Sequence, residues 1–234
     1  MSELQRRLVG LVEEFALPEG ARRPLRSLLD TLESDPTAPT TVTAPAEAVE
    51  VHIADALDGL SAQPVRGATR IADLGAGAGF PGLVLAVALP QATVTLVESV
   101  GKKCAFIERA AEAAGIVNAR ALHARAEEWP EGVEAHDLVT ARAVASLSVL
   151  VEYAAPLLEL DGHLVAWKGS RDDVEEADGR AAAAAVGLEP VDIVVVPARR
   201  GAEHRHLYVY AKRSLTPARF PRRAGMARKR PLTA

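Results

Sequence analysis

The chain has 234 residues, 49% of them hydrophobic, which fits one α/β domain with an appendage at either end, and no apolar run is long enough to span a bilayer. A single cysteine, Cys104, excludes an intrachain disulfide and a cysteine metal cluster; with the charged start Glu3-Leu4-Gln5-Arg6-Arg7, it is the pattern expected of a cytoplasmic protein without an export signal. The net charge of −4 is unevenly spread: residues 1–198 hold 16 Lys+Arg against 30 Asp+Glu (about −14), and residues 199–234 hold 11 against Glu203 alone (about +10), an asymmetry that points to an anionic partner.

Residues 1–62 are expected to form a small helical cap. Leu4, Leu8, Leu11, Val12 and Phe15 recur at helical spacing up to Pro18; Leu25, Leu28, Leu29 and Leu32 repeat the pattern up to Asp35-Pro36. After a Thr/Pro-rich connector, residues 46–60 place Val49, Ile53, Ala56, Leu57 and Leu60 on one further helical face. Beyond Gln63-Pro64, short β-rich runs alternate with Ala-rich helical stretches, the mark of a mostly parallel sheet. The predicted strands are 70–74, 93–97, 120–123, 137–141, 163–167, 191–196 and 206–211, with helices at 83–89, 102–114, 147–158 and 172–186. The last two strands are joined through Pro197–Glu203 without a helix, so they are predicted antiparallel neighbours. A Rossmann-like α/β domain over 63–213, with seven strands and an antiparallel terminal hairpin, matches the sheet of class I AdoMet-dependent methyltransferases.

The most informative segment is Ile71-Ala72-Asp73-Leu74-Gly75-Ala76-Gly77-Ala78-Gly79-Phe80-Pro81-Gly82, where the first strand hands over to a helix. Its glycines let the backbone turn tightly and approach a ligand, and Pro81 suits a helix start. Gly77-x-Gly79-x-x-Gly82 also satisfies the dinucleotide fingerprint, so charge must separate the two readings. A pyrophosphate would be repelled by a carboxylate at this turn, whereas the sulfonium and ammonium of AdoMet tolerate one. Asp73 therefore suits AdoMet; its alternative role is to cap the loop. Glu98, ending the second strand, is placed to accept hydrogen bonds from ribose hydroxyls, a device that NAD enzymes share. Ala126 and Glu127 follow the third strand, where the loop commonly borders adenine; Glu127 and Glu128 fit equally as acids of a first helical turn. Phe80 lies along the cofactor or packs the helix start.

The fourth strand ends Thr140-Ala141-Arg142-Ala143. It lacks the Asn/Asp-Pro-Pro-aromatic turn of exocyclic-amine methyltransferases, and Cys104, among helix residues, reads as packing and not as the nucleophile of a carbon-5 enzyme. An acceptor that is already nucleophilic, such as guanine N7, fits: positioning suffices and no general base is required. Arg142 stands at the carboxyl edge of the sheet, where ligands bind in open α/β folds. It has three candidate ligands, the AdoMet carboxylate, an RNA phosphate and the O6/N7 edge of guanine, beside the structural alternative of an ion pair to a neighbouring helix. His204 and His206 share a strand face without a third ligand nearby, so no metal is expected.

The tail, 214–234, mixes apolar and turn residues with its charge in Phe220-Pro221-Arg222-Arg223 and Arg228-Lys229-Arg230-Pro231-Leu232. It reads as an RNA-docking segment, with Arg222, Arg223, Arg228, Lys229 and Arg230 as phosphate contacts; the alternative is a solvated, disordered appendage. Because the tail follows the seventh strand, removing residues 217–234 is expected to leave the fold and AdoMet binding intact.

The sequence resembles the ribosomal RNA small subunit methyltransferase G family, also called glucose-inhibited division protein B, over nearly the whole chain. The likeness rests on Asp73 to Gly82, Glu98-Ser99 followed by Lys102-Lys103, Arg142-Ala143 followed by Ala145-Ser146-Leu147, Lys168-Gly169, Arg205-His206-Leu207, and the ending from Thr216-Pro217 to Pro231-Leu232. It implies N7 methylation of a guanosine in 16S, small-subunit ribosomal RNA, with AdoMet contacts at Gly75, Phe80, Ala126, Glu127 and Arg142. Beside these, Asp73, Gly77 and Glu98 are expected to shape the cofactor site and Arg142 to position the substrate. The expected partner is small-subunit RNA or the 30S particle, met by a monomer without membrane or metal. The family's Asn-Leu-Thr and His-Ile-x-Asp-Ser-Leu appear here as Thr41-Val42-Thr43 and His52-Ile53-Ala54-Asp55-Ala56-Leu57. Val51 replaces the aromatic residue that often precedes that histidine, and Met226-Ala227 stands where a proline is common. A small-molecule methyltransferase and a non-catalytic AdoMet- or RNA-binding module are the competing readings.

Overall fold

A computed structural model describes residues 1–199 and 203–234. Helix α1 (Glu3–Glu14) starts at Ser2, whose hydroxyl accepts the Gln5 N–H while the Gln5 side chain accepts the Ser2 N–H. It is followed by α2 (Arg22–Ser34), and both bury their leucines, Leu8 and Leu11 from one and Leu25, Leu28, Leu29 and Leu32 from the other. The third helical region is broken into short turns: α3 (Pro45–Ala48), a π-helical segment Val49–Ala54, α4 (Asp55–Leu57), a 3-10 turn Asp58–Ser61 and α5 (Gln63–Arg66).

The α/β part follows as β1 (Arg70–Leu74), α6 (Gly82–Ala88), β2 (Thr93–Glu98), α7 (Gly101–Ala114), β3 (Ala119–His123), β4 (His136–Arg142), α8 (Leu147–Ala154), β5 (Leu158–Lys168), α9 (Asp173–Val186), β6 (Leu188–Val195) and β7 (His206–Lys212). The strands form one sheet in the order β3-β2-β1-β4-β5-β7-β6. The first five pair in parallel, and β7 runs antiparallel to both β5 and β6. The chain therefore has the expected sheet, with Pro190 on the outermost strand, where a missing N–H is tolerated. Of the connector expected between β6 and β7, residues 200–202 lie outside the described residues.

Alternation along the strands sorts side chains to two faces. On one face, Ile71, Leu138, Val165, Trp167, Leu207 and Val209 join the N-terminal helices, α6 and α7 in a continuous apolar cluster. On the other, Ala72, Val139, Leu164, Ala166, Tyr208 and Tyr210 pack with α8 and α9. Residues 1–62 thus share one core with the sheet. The tail differs from expectation more sharply: Phe220, and Ala227 of the single turn α10 (Met226–Lys229), are buried in the second cluster and Leu232 packs against it. No helix among the described residues is long and apolar enough to cross a membrane.

Candidate active site

Strand β1 stops at Leu74 because the next residues take a path open mainly to glycine: Gly75, Gly77 and Gly79 have φ of +64°, +59° and +93°. The turn is held from beneath by β2. Gly75 and Ala76 donate their N–H groups to the Val97 carbonyl, and the Gly77 N–H donates to Glu98 Oε2 at 3.1 Å. Asp73 is fully buried; its carboxylate accepts the Gly82 N–H at 2.9 Å and the Thr140 hydroxyl at 2.8 Å. Burial pushes its pKa up to about 7 against the lowering effect of those two hydrogen bonds and the Arg142 charge. Asp73 therefore ties strand end to helix start, as the loop-capping alternative describes.

Above the turn lies a cavity of about 410 Å³, within the range of small-molecule sites. It brings together Gly75, Glu98, Ala126 and Glu127 with Ser99, Val144, Tyr153 and Arg228. Glu98 is buried at its base, oriented by the Val100 N–H at 3.0 Å and the Lys103 ammonium at 3.8 Å. Ala126–Glu128 is a single 3-10 turn, in which Glu127 accepts the Gly225 N–H at 2.9 Å. Val144 stands so close that a Cβ on Gly75 would fall 2.6 Å from its Cγ2. A carboxylate at the base and a close-approach glycine backbone suit the adenosine of AdoMet. A larger cavity, about 960 Å³, lies between α1, α2 and the end of α7 and shares no residue with the glycine turn.

Phe80 and Arg142 belong to a second constellation, with the N-terminal region. Arg142 projects from the end of β4 and donates from Nη1 to Asp55 Oδ2 at 2.6 Å and to the Val51 carbonyl at 2.9 Å. Asp55 has no exposed surface and also accepts Arg205 Nε at 2.6 Å. This is the ion pair with a helical element that the sequence left as Arg142's structural alternative, and it puts two cations on one carboxylate. His52 stacks on Phe80 with ring centroids 4.8 Å apart and planes 10° from parallel, and the Arg142 guanidinium stands 5.9 Å from the Phe80 ring. Burial, aided by Arg142, lowers the His52 pKa to about 4, so the ring is neutral. Because the Val42 carbonyl 3.1 Å from Nε2 only accepts, the proton sits on Nε2 and Nδ1 faces Arg142 Nη2.

The five tail cations are divided. Arg222 forms a forked ion pair with the buried Glu152, which takes it out of the freely exposed set that was expected to meet phosphate. Arg228 donates to the Val144 carbonyl at 2.9 Å at the cavity rim and is exposed, as are Arg223, Lys229 and Arg230. His52, Asp55, Arg205, Val144 and Tyr153 carried no predicted role. The His52-Ile53-x-Asp55 and Arg205-His206-Leu207 patterns offered a signal, and the π-helical segment that directs the first was not visible in periodicity.

The sheet order, the antiparallel β7 and a cavity between a glycine turn and the acid ending β2 define a class I AdoMet-dependent methyltransferase. The chain matches the GidB family, rRNA small subunit methyltransferase G, over residues 37–208, and it belongs to that family. It is 41% identical over 196 residues to the ribosomal RNA small subunit methyltransferase G of Desulfitobacterium hafniense, covering 82% of this chain and 81% of that protein. It is 41% identical over 187 residues to that of Rubrobacter xylanophilus, covering 77% and 72%. Among solved structures, a SAM-dependent methyltransferase from Aquifex aeolicus shares the fold with TM-score 0.56 at 14% identity, over 81% of this chain and 98% of that one. An N1-methyltransferase from Burkholderia thailandensis, solved with S-adenosylhomocysteine, does so with TM-score 0.51 at 21% identity, over 70% and 80%.

Proposed function

We propose that this protein methylates N7 of a guanosine in 16S ribosomal RNA, acting as a cytoplasmic monomer on the RNA or the 30S particle. The observation that carries the reading is a cofactor cavity with Glu98 at its base and the basic tail, through Arg228, at its rim. Glu98 would accept hydrogen bonds from the ribose hydroxyls, the Gly75 backbone would admit the ligand closely, and Ala126 and Glu127 would border the adenine. Bound AdoMet supplies a methyl group on a sulfonium, and guanine N7 meets it with a lone pair that is free at neutral pH.

The chain's own task is then positioning. Arg142 and Arg205 share the single negative charge of Asp55, which leaves a net positive charge beside Phe80 and His52 to face an anionic substrate. Neutral His52 holds Phe80 in place and is not called on as a base. No group of three or more His, Cys, Asp or Glu is placed to hold a metal among the described residues, and attack by N7 calls for none.

The test is to map N7-methylguanosine in 16S ribosomal RNA from cells with and without the gene, and to repeat the reaction with purified protein, AdoMet and 30S subunits. Loss of one methylated guanosine, restored in vitro, is expected. Unchanged RNA with turnover on a small acceptor would make the protein a small-molecule methyltransferase, and AdoMet binding without any turnover would make it a binding module.

A further inference from the structure

We propose that the C-terminal segment 220–228 is the outer wall of the cofactor site, with Arg228 and Tyr153 as cofactor-positioning residues, so that one strap both meets RNA and holds AdoMet. The proposal rests on the reading that the cavity over Gly75 and Glu98 receives the adenosine half of AdoMet.

Four attachments fix the strap. Phe220 is buried in the apolar cluster beneath α8, and Arg222 is paired with the buried Glu152 of that helix. Gly225, at φ +77°, aims its N–H at Glu127 Oε1, a carboxylate that lines the cavity. Arg228 reaches the carbonyl of Val144, the residue against Gly75, and itself lines the cavity. Tyr153 of α8 lines the same cavity as these last two. An aromatic ring and a guanidinium lining the same cavity as the glycine turn are groups that suit a purine.

The outward residues of the same segment are cationic. Arg223, Lys229 and Arg230 are exposed, as is Arg228, and the attachments to the cavity wall lie one to five positions from them. A polyanion drawn to the exposed set restrains the segment that walls the pocket. Cofactor and RNA must then raise each other's affinity by the same factor, because binding free energies are linked.

The experiment measures S-adenosylhomocysteine affinity by calorimetry, without RNA and with saturating 30S subunits, with thermal melting as the folding control. Without RNA, Arg228→Ala and deletion of 217–234 are expected to weaken binding about tenfold or more. Arg228→Ala should do so at nearly the parental melting temperature; the deletion, which removes Phe220, also lowers melting. Arg223→Ala/Lys229→Ala/Arg230→Ala should bind within twofold of the parent without RNA and lose the several-fold tightening that 30S subunits give the parent. Glu98→Ala reports on the site itself. If it loses affinity while Arg228→Ala and the deletion do not, the cavity is the cofactor site and the wall proposal is overturned. If Glu98→Ala binds as the parent does, the placement of the cofactor has failed, and the proposal with it. Parental tightening that persists in the triple variant would overturn the coupling.

Discussion

Arg142 and Asp55 lie 87 residues apart in sequence and 2.6 Å apart in space, at the seam where the N-terminal helical segments meet the end of β4. Asp55 is ion-paired with both Arg142 and Arg205, and it is fully buried. Asp55→Asn would deprive two part-buried guanidinium groups of the carboxylate they share, and it is expected to cost about 3 kcal/mol or more in urea unfolding. A loss below about 1 kcal/mol would mean that solvent, not Asp55, carries those charges.

Arg142→Ala tests a different quantity. Asp55 keeps Arg205 as a partner, so the domain should stay folded with a loss of about 1–3 kcal/mol. If Arg142 also positions the substrate, kcat/KM on 30S subunits should fall by roughly 10- to 150-fold, the equivalent of one charge-assisted hydrogen bond. Activity within twofold of the parent would assign the residue to structure alone.

His52 gives the protein an acid sensitivity with a defined sign. Its folded pKa of about 4 lies below the ordinary histidine value of 6.5, so between those limits the unfolded chain binds a proton that the folded one refuses. Stability is lost as pH falls through that window, by up to about 3 kcal/mol. Asp73, whose pKa is raised by burial, acts in the opposite sense between about 7 and 3.8, but it is common to parent and variant. Chemical unfolding of parent and His52→Gln from pH 7 to pH 4 should therefore show the parent losing ground steadily. Parallel curves would place His52 in contact with water.

Gly82 sits at the start of α6 with Asp73 and Leu96 against its α-carbon. A Cβ there would fall 2.8 Å from both Asp73 Oδ2 and Leu96 Cδ2, so Gly82→Ala must displace the carboxylate that closes the glycine turn. About 1–3 kcal/mol of stability should be lost by overpacking, together with S-adenosylhomocysteine affinity. Melting and calorimetry at parental values would show that the turn is looser than its contacts indicate.

Ligand choice at the turn is the fifth test. Gly77-x-Gly79-x-x-Gly82 satisfies the dinucleotide pattern, yet the helix start that a pyrophosphate would use is taken by the Asp73 carboxylate on the Gly82 N–H. Calorimetry should find S-adenosylhomocysteine binding and NAD not; tighter NAD binding would reverse the assignment.

What the sequence made legible was local. Strand alternation and the glycine turn placed all seven strands and the cavity's Gly75, Glu98, Ala126 and Glu127, because each depends on neighbours a few residues away. Strand β5 proved longer than predicted: Asp161-Gly162 looks like a turn, but the strand passes through it with Asp161 at φ +63°. Long-range pairings left no trace in spacing. Arg222 was read as an RNA contact because Glu152, its partner 70 residues earlier, is marked by nothing in the helix around it. The tail's charge likewise drew attention from Phe220 and Ala227, the residues that anchor it.

The π-helical segment Val49–Ala54 carries a further consequence. Its wider turn, with the Asp55 N–H bonded to the Glu50 carbonyl five residues back, sets the angular phase between His52 and Asp55. Each residue of an ordinary helix advances the phase by about 100°. Deleting one residue from this segment would leave composition and helicity nearly unchanged, yet swing His52 off Phe80 or Asp55 off Arg142. The segment works as a vernier between the N-terminal helices and the sheet, tolerant of substitution and intolerant of a change in length.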